Sequence, residues 1–426
     1  MNGEGPTEGA LGRALAPFRA PAYRRLAVSL VASSFASGVW VIAVVWEVIR
    51  LGGGPGTLSV VTTAGSVGVL LPALVAGVVA DRIPQRTILL AVGVVELASF
   101  AVVAALSALD QNSVAALSSA SFAVGMAMSF YYPAYTALLP ALVPESALQA
   151  VNGFEGMVRP TIGQALGPAV AGAVVAAASP GAAFTVAAVA SAVTVAAVLR
   201  VPRTDLRRTL DPEHATHPIR SALRDMGEGL GYLRRTPWLL GTLVFASLMI
   251  LTMMGPLEVL VPFLIKDQLG GGPRDHAWVL AGFGLGGAAG SLLMASVRMP
   301  RRYLTVMNLG WGLACLPFLL IGSTTRIGVV IACAVVMGAL FAAPGVIWGT
   351  LLQRRVPPEL LGRVSSLDFF VSILLMPVSM ALAGPVSELI GLQTTFAIAG
   401  TVPLVVAVVV VLWARLPQDE LAHPLG

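Results

Sequence analysis

Several ionisable residues lie inside long apolar runs of the sequence, and four of them are candidates for carrying chemistry. They are Glu47, Glu155, Arg159 and Glu258. A charged side chain in the centre of a bilayer costs roughly 2.5–3.5 kcal/mol on insertion scales, so each of these groups needs a compensating role. A carboxyl in such surroundings can take up and release a proton as its access to water changes. The chemistry that these residues offer is therefore proton transfer.

Glu258 is the first candidate for carrying a proton. It lies between Pro256 and Pro262 in the outer half of the seventh apolar run. Two prolines loosen a helix and free backbone carbonyls, which suits a segment that lines a water-filled cavity. The alternative is a carboxylate that makes a structural hydrogen bond to a neighbouring helix.

The other three ionisable residues each have a structural alternative. Glu47, near the outer end of the first run, can carry a proton, reach the surface or pair with Arg50. Glu155 and Arg159 stand four residues apart on one helical face, so they can neutralise each other. They form either a structural ion pair or a switch linked to a proton or an anion.

The sequence lacks the motifs of the common enzyme classes. It contains no H-E-x-x-H, G-x-S-x-G or Walker-type loop. Cys315 and Cys333 lie in apolar runs without metal-ligand spacing, which predicts two buried small hydrophobes. We therefore expect no enzyme activity, no metal and no cofactor.

Composition indicates that lipid surrounds most of the chain. Charged residues make up 11% and hydrophobic residues 57% of the 426 positions, whereas soluble domains carry roughly 25% charged residues. The net charge of +5 does not indicate nucleic acid, because the basic residues are neither clustered on one helix nor interleaved with aromatics.

Apolar runs between polar breaks predict twelve transmembrane helices. Their approximate bounds are 26–50, 57–80, 87–108, 113–137, 149–177, 180–199, 237–265, 275–297, 303–322, 326–350, 364–389 and 393–414. The longest polar interval, 200–236, divides them six and six, and its residues 221–235 have the spacing of an amphipathic surface helix. The predicted units are a tail (1–25), a first bundle (26–199), a linker (200–236), a second bundle (237–414) and a tail (415–426).

Basic residues orient these helices. The tails and the loops on the same side hold 21 arginines, whereas the opposite side holds four basic residues. Because positive charge accumulates on the cytoplasmic side of a membrane, both termini and the linker are expected in the cytoplasm.

The two halves of the chain repeat each other. Leu51 to Pro55 recurs as Leu269 to Pro273, an offset of 218, and Gly167-Pro168 recurs as Gly384-Pro385, an offset of 217. The repeat predicts an all-α membrane protein with two pseudo-symmetric six-helix bundles. In such parallel duplications the substrate site lies between the halves, near the middle of the bilayer.

The loop between predicted spans 2 and 3 carries a recognisable charge pattern. Gly77, Asp81, Arg82 and Arg86 form G-x-x-x-D-R-x-x-x-R, which resembles the signature loop of the major facilitator superfamily, a class of secondary transporters. The resemblance implies a gate in which Asp81 meets the positive N-terminus of span 11. Asp368 is expected to lie at the start of that span, where a carboxylate is favourable.

A second motif lies in predicted span 5. Gly163, Gly167, Pro168 and Gly172 resemble the span-5 motif of superfamily antiporters, although Ala171 replaces one glycine. The loop 356–364 is similar to that of the enterobactin-exporter-like branch of bacterial drug and siderophore exporters. Span 4 lacks the arginine that drug antiporters carry there. Either Arg159 substitutes for that arginine, or transport is coupled to protons in a different way.

Aromatic and methionine residues indicate the substrate class. Those that fall where a cavity is expected are Trp40, Met126, Met128, Phe130, Tyr131, Tyr132, Tyr135, Phe263 and Trp348. With few charges beside them, they favour small lipophilic or amphipathic compounds. Ordinary helix packing is the alternative for each residue.

Together these patterns favour a proton-coupled exporter in the bacterial inner membrane. Its expected partners are a small amphipathic substrate, protons and lipid, with no nucleic acid, and we expect a functional monomer. The alternatives are an uptake permease for a polar solute and a membrane enzyme or lipid-handling protein. A permease would need more hydrogen-bonding groups in its cavity.

Overall fold

The computed structural model describes residues 16–73, 76, 79, 82–144, 147–202, 227 and 230–425. Twelve spans are present in this part of the chain. They are Pro21–Arg50 (span 1), Pro55–Leu70 (span 2), Gln85–Ala108 (span 3), Val114–Leu142 (span 4), Leu148–Val158 with Arg159–Leu166 and Gly167–Ala177 (span 5), Pro180–Leu199 (span 6), Pro237–Gln268 (span 7), Pro273–Ser296 (span 8), Tyr303–Ile321 (span 9), Ile327–Arg355 (span 10), Pro358–Leu374 with Met376–Ile390 (span 11) and Leu392–Trp413 (span 12).

The helices confirm the predicted all-α membrane fold. Eleven of them are long and apolar enough to cross a bilayer, and the described helix of span 2 is a shorter apolar segment. No strand occurs among the described residues. Of the predicted amphipathic helix at 221–235, only 227 and 230–235 are described, as helix.

The internal repeat extends to backbone conformation. Gly52 and Gly270 have φ of 77° and 63°, in the left-handed region that glycine adopts without a steric penalty. Pro55 and Pro273 then begin spans 2 and 8, where a missing N–H costs no helical hydrogen bond. The two far-side turns are thus built in the same way.

Two spans depart from regular α-helix at their prolines. Span 5 is π-helical over Arg159–Leu166, and span 7 is π-helical over Pro256–Leu260 and Leu264–Gln268. A proline donates no backbone hydrogen bond and clashes with the preceding turn, so the helix widens locally. The prolines around Glu258 do loosen span 7, as the sequence predicts.

The two bundles meet at one side of the membrane. We call the side that carries residues 16–20 and 416–425 the terminal side, and the opposite side the far side. On the far side, spans 2 and 11 pack together, and the Gly384 backbone N–H donates to Ser59 Oγ at 2.9 Å. Spans 5 and 8 also contact each other there. The far side is therefore closed in this structure.

The glycine motif of span 5 serves two different contacts. A Cβ atom added to Gly167 would lie 2.9 Å from the Phe35 carbonyl oxygen of span 1, within the same bundle. A Cβ atom added to Gly172 would lie 2.6 Å from Ala277 Cβ of span 8, in the other bundle. Gly167 therefore supports the first bundle, whereas Gly172 permits the bundles to meet.

The predicted tail 415–426 contains a short helix docked on the terminal side. Leu416–Ala422 packs against span 9, where Glu420 accepts a hydrogen bond from the Thr305 backbone N–H. Asp419 pairs with Arg355 of span 10 at 2.5 Å. The Arg355 guanidinium also lies 4.7 Å from the ring centroid of Trp238 in span 7. The short helix thus contacts spans 9 and 10 of the second bundle, and Arg355 of span 10 in turn contacts span 7.

Replacing Gly172 with leucine should disfavour the state in which the far side is closed. The added side chain would overlap span 8, and overpacking of a tight contact typically costs about 1–3 kcal/mol. Spin labels at Gln111 and Thr325, exposed loop positions of the two bundles on the far side, should report a longer distance in the variant. The two buried native cysteines would be replaced with alanine.

Gly167→Leu is the matched control for this experiment. Its contact lies within one bundle, so we expect a lower melting temperature in detergent without the same increase in the label distance. An unchanged label distance in Gly172→Leu would show that Gly172 does not limit far-side closure.

Candidate substrate cavity

A cavity of about 900 Å³ opens between the bundles in the terminal half of the molecule. Spans 2, 4, 5 and 11 form its walls. The lining residues are Val69, Ala73, Met128, Ser129, Tyr132, Pro133, Asn152, Glu155, Gly156, Arg159, Ser365 and Phe369. Its volume lies within the range of pockets that bind drug-sized ligands.

An ion pair forms the charged part of this cavity. Arg159 Nε and Nη2 lie 3.0 and 2.8 Å from Glu155 Oε1, as the four-residue spacing predicts. The side chain of Arg159 is 41% exposed and that of Glu155 is 11% exposed, so the pair is reached from the cavity. The guanidinium also stands 5.4 Å from the ring centroid of Tyr132, close enough for a cation–π interaction.

Local helix geometry places this pair. Asn152, Glu155, Gly156 and Arg159 recur at three- and four-residue intervals, so they share one face of span 5. The π-helical segment starts at Arg159, because Pro160 interrupts the regular hydrogen bonds. The cavity-facing charge therefore stands where span 5 changes its winding.

Glu258 lies outside this cavity. Its side chain is partly buried in the π-helical segment of span 7, which packs against span 2 of the other bundle. No residue in the described part of the chain donates a hydrogen bond to its carboxylate. The adjacent Gly255 N–H donates to Ser379 Oγ at 2.8 Å, which ties this part of span 7 to span 11.

Glu47 is part of a closed polar cluster at the far end of span 1. Its carboxylate is fully buried and accepts hydrogen bonds from Arg50 at 2.9 and 3.0 Å and from Asn112 at 2.7 Å. Arg50 also pairs with Asp110 at 2.9 Å. Of the alternatives for Glu47, the structure shows the pair with Arg50 and not a side chain that reaches the surface.

Most of the aromatic residues chosen as cavity candidates line no part of this cavity. Trp40 is packed between Phe100 and Phe184 inside the first bundle, with ring centroids 5.0 and 5.3 Å away. Tyr131 and Tyr135 stack on each other at 5.8 Å in the core of that bundle. In this structure their large apolar surfaces pack against neighbouring helices.

Three further candidates are also placed elsewhere. Met126 and Phe130 line a separate groove of about 400 Å³ formed by spans 2, 3 and 4. Phe263 is buried in the hydrophobic core. Of the nine candidates, Met128 and Tyr132 line the cavity.

Asp368 does not lie at the start of span 11, so the expectation from the sequence is wrong. The helix starts at Pro358, so Asp368 is its eleventh residue and lies beyond the reach of the positive N-terminus. Its carboxylate instead accepts a hydrogen bond from Trp348 Nε1 at 3.0 Å and one from Ser372 Oγ at 3.4 Å. Trp348 is thereby attached to span 11 and does not line the cavity.

The signature loop is described only in part. Gly77 and Asp81 lie outside the described residues. The side chain of Arg82 is exposed. Arg86 donates to the carbonyls of Val198 and Leu199 at 3.2 and 2.7 Å, where span 6 ends. A cation at a helix C-terminus satisfies carbonyls that have no partner in the helix, so Arg86 anchors span 6 to span 3.

Sequence reasoning missed Ser129, Asn152, Ser365 and Phe369 as cavity residues. The polar face of span 5 was a usable signal, because Asn152 and Gly156 have helical spacing to the ion pair. Nothing in the sequence alone distinguishes Ser365 and Phe369 from other residues of span 11.

Comparison with known proteins places the chain among membrane transporters. A family model described as "transmembrane secretion effector" matches residues 12–424. Macrolide efflux protein A of Streptococcus pyogenes is 24% identical over 390 residues, covering 90% of this chain and 92% of that protein. The multidrug efflux pump Tap of Mycolicibacterium fortuitum is 26% identical over 407 residues, covering 91% and 94%.

Solved structures share the fold at low sequence identity. The nucleoside transporter NupG superposes with a TM-score of 0.66 at 14% identity, covering 94% of this chain and 99% of that one. A POT family transporter in complex with 5-aminolevulinic acid superposes with a TM-score of 0.72 at 13% identity, covering 96% and 98%. The chain therefore belongs to the transmembrane secretion effector family of the major facilitator superfamily.

Proposed function

We propose that the protein exports small lipophilic or amphipathic compounds by proton antiport with alternating access. The observation that carries this proposal is the 900 Å³ cavity between the bundles, with one ion pair in a wall that is otherwise mostly apolar. Methionine and aromatic side chains adapt to varied apolar shapes, while a single carboxylate and guanidinium orient a polar group. A cavity of this kind suits drug-like compounds.

Glu155 and Arg159 supply the proposed coupling. A proton on Glu155 removes the negative charge that holds Arg159, and a cationic substrate competes with that proton for the carboxylate. Proton and substrate therefore exclude each other at one site, which is the requirement for antiport. Because span 5 begins its π-helical turn at Arg159, release of this side chain acts where the helix winding is already irregular.

Two relatives carry names that favour export over uptake. They are called a macrolide efflux protein and a multidrug efflux pump, and both align over about nine tenths of this chain. A permease for a polar solute would need a more polar cavity wall than this one, so we do not favour uptake.

The distribution of arginines supports a cytoplasmic terminal side. With 21 basic residues on that side of the sequence map and four on the other, the cavity would open toward the cytoplasm. We propose a location in the bacterial cytoplasmic membrane and a functional monomer, because spans 2, 4, 5 and 11 of a single chain are enough to line the cavity. We retain Gly77, Asp81 and Arg82 as the proposed terminal-side gate.

Glu155→Gln should abolish transport driven by a pH gradient and only weaken substrate exchange between equal pools, because the rest of the cavity wall still binds the dye. The amide keeps the size of the side chain but cannot release a proton. Transport of a lipophilic cationic dye in proteoliposomes, measured with and without an imposed gradient, separates the two activities. Glu388→Gln, at an exposed position on span 11 outside the cavity, is the control and should behave like the wild type.

Gradient-driven dye transport at the wild-type rate in Glu155→Gln would disprove the proposed role of Glu155. Complete loss of exchange together with gradient-driven transport would show that the dye depends on the carboxylate for binding and not on the rest of the cavity wall.

Glu258→Gln should also abolish proton-linked export while leaving dye binding intact. This carboxylate belongs to the π-helical segment that packs against span 2, so opening of the far side would bring it to water. We propose that it releases or accepts the proton in the state not seen here. Dye binding measured by fluorescence polarisation should match the wild type, and normal gradient-driven transport in this variant would leave Glu155 as the coupling residue.

A further inference from the structure

A groove on the outside of the first bundle runs between spans 1, 5 and 6, away from the cavity. Its volume is about 580 Å³, and apolar side chains form nearly all of its wall. Val28, Leu166 and Val193 are 49%, 48% and 45% exposed along it. These side chains face the lipid, so the groove can hold an elongated apolar molecule.

The depth of the groove matches one leaflet. On span 1 its lining extends from Arg24 at the terminal end to Phe35. Eleven residues of helix rise roughly 16 Å, and half of a typical hydrocarbon core is about 15 Å. An acyl chain that enters at the terminal side therefore finds an apolar wall along the thickness of its own leaflet.

Arginines stand at the mouth of the same groove. A pocket of about 250 Å³, which shares Arg24 and Val28 with the groove, is also lined by Arg25 and Arg200. Arg25 donates one hydrogen bond to the Arg200 carbonyl at 2.5 Å, and its guanidinium has further N–H groups that donate to no other described residue. The guanidinium groups of Arg24 and Arg200 are exposed and make no ion pair with another described residue.

We propose that this groove binds one anionic phospholipid. Its phosphate lies among Arg24, Arg25 and Arg200, because guanidinium groups bind phosphate oxygens in paired hydrogen bonds. One acyl chain lies in the groove against spans 1, 5 and 6. Basic pockets at the ends of membrane helices attract anionic head groups in this way, and the apolar groove adds the requirement for a chain.

The site also touches the irregularly wound segment of span 5. Ile162 and Leu166 in its wall belong to the π-helical segment of span 5, which begins at Arg159 in the cavity. The bound lipid therefore packs on one face of a helix turn whose other face lines the substrate cavity. It is expected to stabilise the winding of span 5 seen here.

Native mass spectrometry of the purified protein tests the site with two lipids of identical chains. Dioleoyl phosphatidylglycerol should be retained over dioleoyl phosphatidylcholine by the wild type. In the double variant Arg24→Gln/Arg200→Gln that preference should fall by about ten- to thirtyfold, the effect expected for loss of two arginine charges near a phosphate. Arg24→Lys/Arg200→Lys should recover part of it.

A matched control and a second variant complete the test. Arg298→Gln/Arg301→Gln removes two exposed terminal-side arginines outside the groove and should leave the preference unchanged. Val193→Trp fills the groove, keeps all the arginines and should weaken retention of both lipids. Val409→Trp, at a 55% exposed position on span 12, is its control.

Wild-type preference in Arg24→Gln/Arg200→Gln, or an equal loss in the Arg298/Arg301 variant, would overturn the proposal. Displacement of the lipid by millimolar glycerol phosphate would show that the arginines bind a free phosphate and would overturn the role of the groove. If the double arginine variant does not fold, unchanged lipid retention in Val193→Trp still overturns the proposal. Loss of retention in Val193→Trp but not in Val409→Trp supports it.

Discussion

The absence of water from the bilayer core constrains everything else in this structure. A backbone N–H or carbonyl that lacks a partner in hydrocarbon costs several kcal/mol, so the chain crosses as helices that satisfy their own hydrogen bonds. Prolines within spans 5 and 7 prevent that locally, and these two spans contain π-helical segments. Irregular winding is tolerated there because span 5 borders the cavity and span 7 packs against spans 2 and 11. The same constraint therefore produces both the regular scaffold and the places where it departs from regularity.

Because water does not solvate the buried acids, they differ from one another mainly in the residues that pair with them. Glu47 is held by Arg50 and Asn112 at the end of its span, which leaves little of its carboxylate available for other ligands. Among the described residues Glu155 has one partner, Arg159, and that partner is exposed to the cavity. Partner count, rather than position in an apolar run, thus distinguishes a structural acid from an acid that is able to act. On this measure Glu155 joins Glu258 as a candidate for coupling.

The number of spans and the duplication could be predicted because hydrophobicity and glycine–proline turns are local properties of the sequence. The Glu155–Arg159 pair could be predicted for the same reason, since four residues make about one helical turn. The cavity wall could not. Met128 and Tyr132 face the cavity whereas Met126 and Phe130 face a groove between spans 2, 3 and 4, and only the rotation of span 4 against its neighbours separates the two pairs. That rotation is fixed by packing between helices distant in sequence, and so is the depth of Asp368 within span 11.

The docked C-terminal helix has a consequence for how the second bundle is assembled during synthesis. Asp419 and Glu420 hold the terminal ends of spans 10 and 9 through Arg355 and the Thr305 backbone. These residues follow span 12 in the chain, so spans 9 and 10 are synthesised before the helix that holds them. Both spans must therefore enter the membrane without this contact and acquire it afterwards. Insertion of the two spans and their final packing at the terminal side are thus separate steps of folding.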